Sequence, residues 1–289
     1  GGAFVAIKIV VNEIPPLHAA MIRMWIAVPY LWITFKLLKK PMKLSRQAWQ
    51  PSWVAGLFMI GIPYALVFWG ETKVVAGLAG VINGTVPLFT AALTSLAISP
   101  LYDPKQRLHF NLVIGLLAGF IGLITLFYPQ LSQNSSADFW GTLAIVGMAF
   151  CYSLSNVLNA RILAPPLQVS ITANVFHQHI ASLVFLSIFA PLLEHRPWDW
   201  MNIFMPKVLG SLLFLGAVSG ATALLIYYFL IREIGAIRTS AITYLIPVGA
   251  LFLDFMVFGT RPEGIVILGT LFILGGVLFI RSSPVEKQS

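Results

Sequence analysis

The chain of 289 residues is 58% apolar and only 10% charged, with a mean hydropathy of +0.87. A water-soluble domain carries about 25% charged residues, so these proportions exclude a chain that covers itself in water and point to a membrane protein. The net charge of +8 is spread between apolar runs, which excludes a nucleic-acid patch, and the single Cys151 excludes an internal disulfide framework and a cysteine metal site.

A spanning helix needs about 20 residues. In chain order the apolar segments are Gly1–Val11, Pro15–Leu38, Trp49–Gly70, Lys73–Ser99, Leu108–Tyr128, Ala137–Arg161, Gln168–Leu193, Pro206–Ile231, Ala236–Gly259 and Glu263–Ile280. The runs are long and do not alternate, so strands are excluded. The first run is too short to span, and about eight upstream residues are expected to complete it. No cleavable signal peptide is visible. The polar stretch Gln130–Asp138 (QLSQNSSAD) divides residues 1–133 from 134–289, with five segments on each side. The tail Ser282–Ser289 is polar and is expected to be disordered.

The two sets repeat each other. Ala76–Leu93 and Ala236–Leu253 carry Pro87 and Pro247 at an offset of 160, which also places Phe68 on Tyr228 and Trp69 on Phe229. Pro15-Pro16-Leu17 matches Pro165-Pro166-Leu167, and Gly115 and Gly122 match Gly269 and Gly276. With a cytoplasmic start, twelve lysines and arginines fall in connections on the cytoplasmic side and four on the other. That bias predicts cytoplasmic termini. Five helices per half then turn the second half over, so the duplication is expected to be an inverted repeat around a central site.

Charged and polar residues inside the spans are the site candidates. Lys8, with Asn12 one turn on, could offer a cavity cation or snorkel to the interface. Arg23, deeper in the second segment, reads as a structural donor to carbonyls of a neighbouring helix. Asn83 and Thr85 flank Gly84, with Thr239, Thr243 and Tyr244 in the matching place. A doubled, proline-interrupted helix is the strongest pointer to a lined site, with Pro87 and Pro247 as hinges. Tyr64 and Tyr228 are pocket candidates, while most tryptophans flank spans as an interfacial belt. Asn156 of the sixth segment and His177 complete the substrate-binding set, Lys8, Asn12, Tyr64, Asn83, Asn156, His177, Tyr228 and Tyr244. His177 and His179 point about 200° apart on a helix, so they do not share a metal. Asp254 is an intraspan acid that could carry a proton, and Glu71 at a helix break could pair with Lys73.

Phe4–Pro16 (FVAIKIVVNEIPP), followed by Leu17–Trp25 (LHAAMIRMW), resembles the opening of an EamA-type member of the drug/metabolite transporter superfamily. The Ala-rich, Pro-ended fourth and ninth segments and the glycine-spaced fifth and tenth share that likeness, which covers nearly the whole chain. The resemblance implies an all-α polytopic protein of ten transmembrane helices in two inverted five-helix repeats, and export of amino acids or other small metabolites. Pro100 and Thr260 stand where such proteins often carry Glu.

Other classes fit less well. The chain has no HExxH, no GxSxG and no close pair of membrane carboxylates, so catalysis is not expected, and no cofactor is called for. No nucleotide-binding loop is present, so a gradient, a proton or other ion, or the substrate itself supplies the energy. The expected partners are a small-molecule substrate and the lipid bilayer of a bacterial inner membrane, with monomer and homodimer both open. A non-transporting scaffold or a channel is the alternative.

Overall fold

The structure, a computed structural model, describes residues 2–74, 76–95, 109–133, 138–249 and 264–282. Every regular element among them is helical. We number the helices α1 (Gly2–Glu13), α2 (Pro16–Leu37), α3 (Arg46–Gly70) and α4 (Ala76–Asn83 and Val86–Ser95). They continue as α5 (Phe110–Gln133), α6 (Phe139–Leu163), α7 (Ile171–Leu193) and α8 (Pro206–Ile234). The last two are α9, which starts at Ala236–Ser240 and is followed to 249, and α10 (Gly264–Ser282).

Seven of the described helices are long and apolar enough to cross a membrane. The twelve residues of α1 fall short, as expected from its sequence. Pro100, Asp254 and Thr260 lie outside the described residues, as do Lys105, Arg107, Arg261 and Lys287.

Local chemistry sets the helix ends. Pro16 opens α2, where a missing N–H does no harm. One carboxylate oxygen of Glu194, just past α7, accepts from the Leu17 and His18 amides at 3.0 and 3.1 Å and meets His18 Nδ1 at 2.9 Å. An anion at a helix N-terminus neutralises the exposed donors and so ties α2 to α7. Asp138 caps α6, its carboxylate accepting from Gly141 N at 2.6 Å. Gly235, at φ 84°, separates α8 from α9 in a backbone conformation that side chains resist.

Both halves carry the same irregularities. α3 contains a π-helical turn at Leu57–Gly61, and α8 contains a longer one at Phe214–Thr222. Residues 57–61 map onto 217–221 at the offset of 160. α4 is interrupted at Gly84–Thr85 and α9 by a 3-10 turn at Ala241–Tyr244. The sequence reading put the bends at Pro87 and Pro247. The irregular turns lie two or more residues before each proline, where a ring without an N–H leaves carbonyls unbonded.

α5 and α10 pack antiparallel through glycine. A Cβ on Gly115 would lie 2.6 Å from the Gly276 oxygen, and one on Gly122 would lie 2.7 Å from the Gly269 oxygen. Small residues allow backbones to approach this closely where no hydrophobic effect drives association. These helices, with α4 and α9, enclose one apolar cluster around Leu116, Leu123, Tyr244 and Ile273; a larger one fills the space between the other helices.

Candidate functional site

A cavity of about 480 Å³ lies between the halves. Its walls come from α1, α3, α4, α6, α8 and α9, and from α2 through Arg23. Five pairs of lining residues stand 160 apart: Met59 and Ser219, Tyr64 and Leu224, Val67 and Tyr227, Asn83 and Thr243, Val86 and Ile246. Each half therefore offers the same backbone positions to one space, and the polar groups differ from pair to pair. Asn83 is the last helical residue before the break in α4, and Thr243 lies in the 3-10 turn of α9. Irregular backbone at such depth is tolerated where it lines a cavity.

Arg23 is the charged residue of this lining and is 3% exposed. Its Nη2 donates to the Tyr64 hydroxyl at 3.1 Å, and the guanidinium lies 4.0 Å from the centre of the same ring. Its Nε has no hydrogen-bond partner. The π turn of α8 folds over it, with Gly220 so near that a Cβ there would sit 3.2 Å from Nη2. Among the described residues no carboxylate forms an ion pair with Arg23. The expectation of a donor to backbone carbonyls is corrected: Arg23 faces the cavity and a phenol.

The other predicted residues divide sharply. Tyr64 and Asn83 line the cavity. Tyr228 is fully buried, and its hydroxyl donates to Gln178 Oε1. Gln178 Nε2 donates to Asn159 Oδ1 at 2.7 Å, which also accepts from Asn174 Nδ2 at 2.8 Å. Asn159 Nδ2 donates to Ser155 O at 2.9 Å. Ser155 and Ser182 hydroxyls donate to the Ala55 and Gly56 carbonyls at 2.8 and 3.1 Å, next to the π turn of α3. A π turn breaks the regular ladder and leaves carbonyls for side chains to satisfy. Tyr228 thus belongs to a closed network behind the cavity, a correction to its reading as a pocket residue.

Tyr244 is corrected likewise. Its hydroxyl donates to Leu116 O at 3.1 Å, and its ring lies over Gly119. The His177 ring bridges Trp53 Nε1 at 3.4 Å and the Met42 carbonyl at 3.0 Å, so it holds a loop to two helices. Asn156 is buried beside the Tyr227 phenol, one layer behind the lining. Lys8 and Asn12 are exposed and off the cavity wall. Lys8 Nζ donates to the Glu71 backbone oxygen at 3.0 Å. The Glu71 side chain is 1% exposed, and neither carboxylate oxygen has a hydrogen-bond partner. Burial pushes this carboxyl up to about 8, against the opposing pull of Lys8. Lys73 instead lies 5.4 Å over the Trp69 ring.

Tyr152, Ser219 and Tyr227 are lining residues that sequence reasoning passed over. The repeat offset held the signal for two of them, because Met59 and Val67 map onto Ser219 and Tyr227. No cluster of three or more His, Cys, Asp or Glu side chains among the described residues could hold a metal ion.

The model of the EamA-like transporter family matches residues 1–128 and 139–282. The uncharacterized transporter YoaV of Bacillus subtilis is 22% identical over 281 residues, covering 96% of this chain and 91% of that protein. PagO of Salmonella typhimurium is 24% identical over 90% of this chain and 81% of its own length. The uncharacterized inner membrane transporter YedA of Escherichia coli K12 is 24% identical over 99% of this chain and 90% of its own. A protein solved by crystallography shares the fold with a TM-score of 0.76 at 16% identity, over 97% of each chain.

Proposed function

Because the chain belongs to the EamA-like transporter family, we propose that it is a secondary carrier that exports small organic metabolites by alternating access. The observation that carries the proposal is the cavity wall, to which the two halves contribute five pairs of positions at one offset. A site built from matched positions of two repeats can be exposed to either side by rocking one repeat against the other. Residues 1–133 and 134–289 would be those repeats, with ten helices in all and the interrupted turns of α4 and α9 as the bending points. The contacts between α5 and α10 support an inverted arrangement. Gly115 and Gly122 match Gly269 and Gly276 in sequence, yet Gly115 meets Gly276 and Gly122 meets Gly269. Such exchanged pairing is what a two-fold relation produces.

The membrane is the bacterial inner membrane, the location in the name of the Escherichia coli relative. The charge bias puts both termini in the cytoplasm. A cysteine at Ser135 in a Cys151→Ser background should then react with an impermeant thiol reagent in intact cells. Labelling at Ser45→Cys instead would reverse the orientation.

The transport reading is tested in liposomes loaded with a pool of bacterial amino and organic acids. Vesicles holding the purified protein should lose particular compounds faster than protein-free vesicles, and the loss should saturate and show counterflow. Leakage without counterflow would favour a channel, and no difference for any compound would favour a scaffold.

A further inference from the structure

We infer that the cavity takes a monoanionic carboxylate on an apolar body, with the carboxylate held by Arg23. The inference rests on the transporter reading for its biological meaning, while the binding chemistry stands on the site itself.

A guanidinium carries five N–H donors in a rigid fork and stays charged. Here one of those donors is used within the protein, on the Tyr64 hydroxyl, and Nε has no partner. A buried cation left in this state is costly unless an acceptor completes it. A carboxylate supplies two oxygens at the spacing of the fork and is the natural completion. Hydroxyl-bearing side chains stand around the same space, from Tyr152, Ser219, Tyr227 and Thr243. They can orient a head group without adding charge.

Three features narrow the class. Among the described residues the lining holds one cation, Arg23, and no lysine. A dianionic phosphate would leave a charge uncompensated, so a monoanion fits better. Among the described residues the lining holds no aspartate or glutamate to serve as counter-ion for the ammonium of an amino acid. The remaining wall is apolar, with Ile7, Met59, Val67, Met148 and Phe214 among its members. That wall suits a hydrocarbon or aromatic body. The α8 π turn places Gly220 against the guanidinium, where a Cβ would lie 3.2 Å from Nη2 and 3.5 Å from Nε, so that position adds no side chain over the fork.

The test is direct binding to the purified full chain in detergent micelles, measured by titration calorimetry. Butyrate, hexanoate and 3-phenylpropionate are each compared with their amides and with phenyl phosphate. The carboxylates should bind at least about 10-fold more tightly than the matching amides, one bidentate charge-assisted contact being worth about that much or more. Arg23→Gln should abolish this preference. Arg23→Lys, which keeps the charge and loses the fork, should bind the carboxylates several-fold more weakly than the wild type while retaining part of the preference. Equal wild-type affinity for acid and amide overturns the inference, as does an acid preference that survives Arg23→Gln. Tighter binding of phenyl phosphate than of 3-phenylpropionate would overturn the carboxylate assignment. If Arg23→Gln does not yield folded protein, Arg23→Lys decides: an undiminished acid preference there rejects the fork. Flux of the same probes in liposomes separates the two readings. Selective binding without flux would sink the transporter and spare the site, and flux blind to charge would do the reverse.

Discussion

Two polar clusters are buried in this protein, and they differ in how they are satisfied. Behind the cavity, Asn159, Asn174, Gln178 and Tyr228 bond to one another, with Ser155 and Ser182 taking the carbonyls beside the α3 π turn. On the cavity wall, Arg23 has one phenol as its partner and an unpartnered Nε. Burial is alike in the two, since Arg23 is 3% exposed and Gln178 0%. The π turns differ in one respect. Hydroxyls take carbonyls at both, Ser155 and Ser182 beside the α3 turn and Thr222 within the α8 turn, but only the α8 turn sets a glycine beside a charge. A buried polar cluster that completes itself holds the helices together, whereas Arg23 keeps donors that the proposed carboxylate would complete.

The contrast breaks most severely if Gln178→Leu is tolerated. That change strands the Asn174 Oδ1 and the Tyr228 hydroxyl, each at about 1–3 kcal/mol. We expect a large fall in melting temperature in detergent, or no folded protein. Arg23→Leu should leave the melting temperature unchanged or raised, because a buried cation is replaced by an apolar group. Equal damage from both would make Arg23 structural.

Gly56→Ala comes next. Its Cβ would lie 2.6 Å from the Gln178 Cα, a backbone atom that cannot swing away. Separating α3 from α7 should cost about 1–3 kcal/mol of overpacking, read as a lower melting temperature. A smaller effect follows from single hydroxyls. Tyr228→Phe should destabilise by about 1 kcal/mol, whereas Tyr64→Phe, whose hydroxyl serves only the open cluster, should change stability by less. Reversal of that order would erase the distinction between the clusters.

Much of this was readable from the chain. Long apolar runs require helices, and the repeat offset identified the elements that line the cavity. The interrupted turns of α4 and α9 followed from glycine and proline, because a proline disturbs the turn before it and Gly84 stands beside the break in α4. The side chains were less readable. Tyr228 and Tyr227 are adjacent, and pattern alone does not say which faces the space. The π turns decide that facing by adding residues to a turn, and no residue type marks them. Lys8 drew attention as a lone cation, yet it lies on the exposed face of the short α1, while Arg23 is packed inside α2 against α3 and α8.

Glu71 tests whether an unpartnered buried group must face the cavity to matter. It is as buried as the network, unsatisfied like Arg23, and outside the cavity lining. Its carboxyl is raised from 4.5 to about 8, chiefly by burial, with Lys8 opposing. A folded state that holds a proton more tightly than the unfolded one is stabilised where that proton is bound. The contribution is therefore full below about pH 4.5 and is lost as the pH rises toward about 8. The melting temperature of the wild type should fall across that window. Glu71→Gln, neutral at every pH, should flatten the curve and match the wild type at the acid end. Lys8→Gln removes the opposing cation, so it should move the fall to higher pH. A wild-type curve that rises through the window would mean that Glu71 is charged in the folded protein and paired with Lys8 through its side chain. The charge that the structure isolates would then be a salt bridge, and the parallel between Glu71 and Arg23 would be lost.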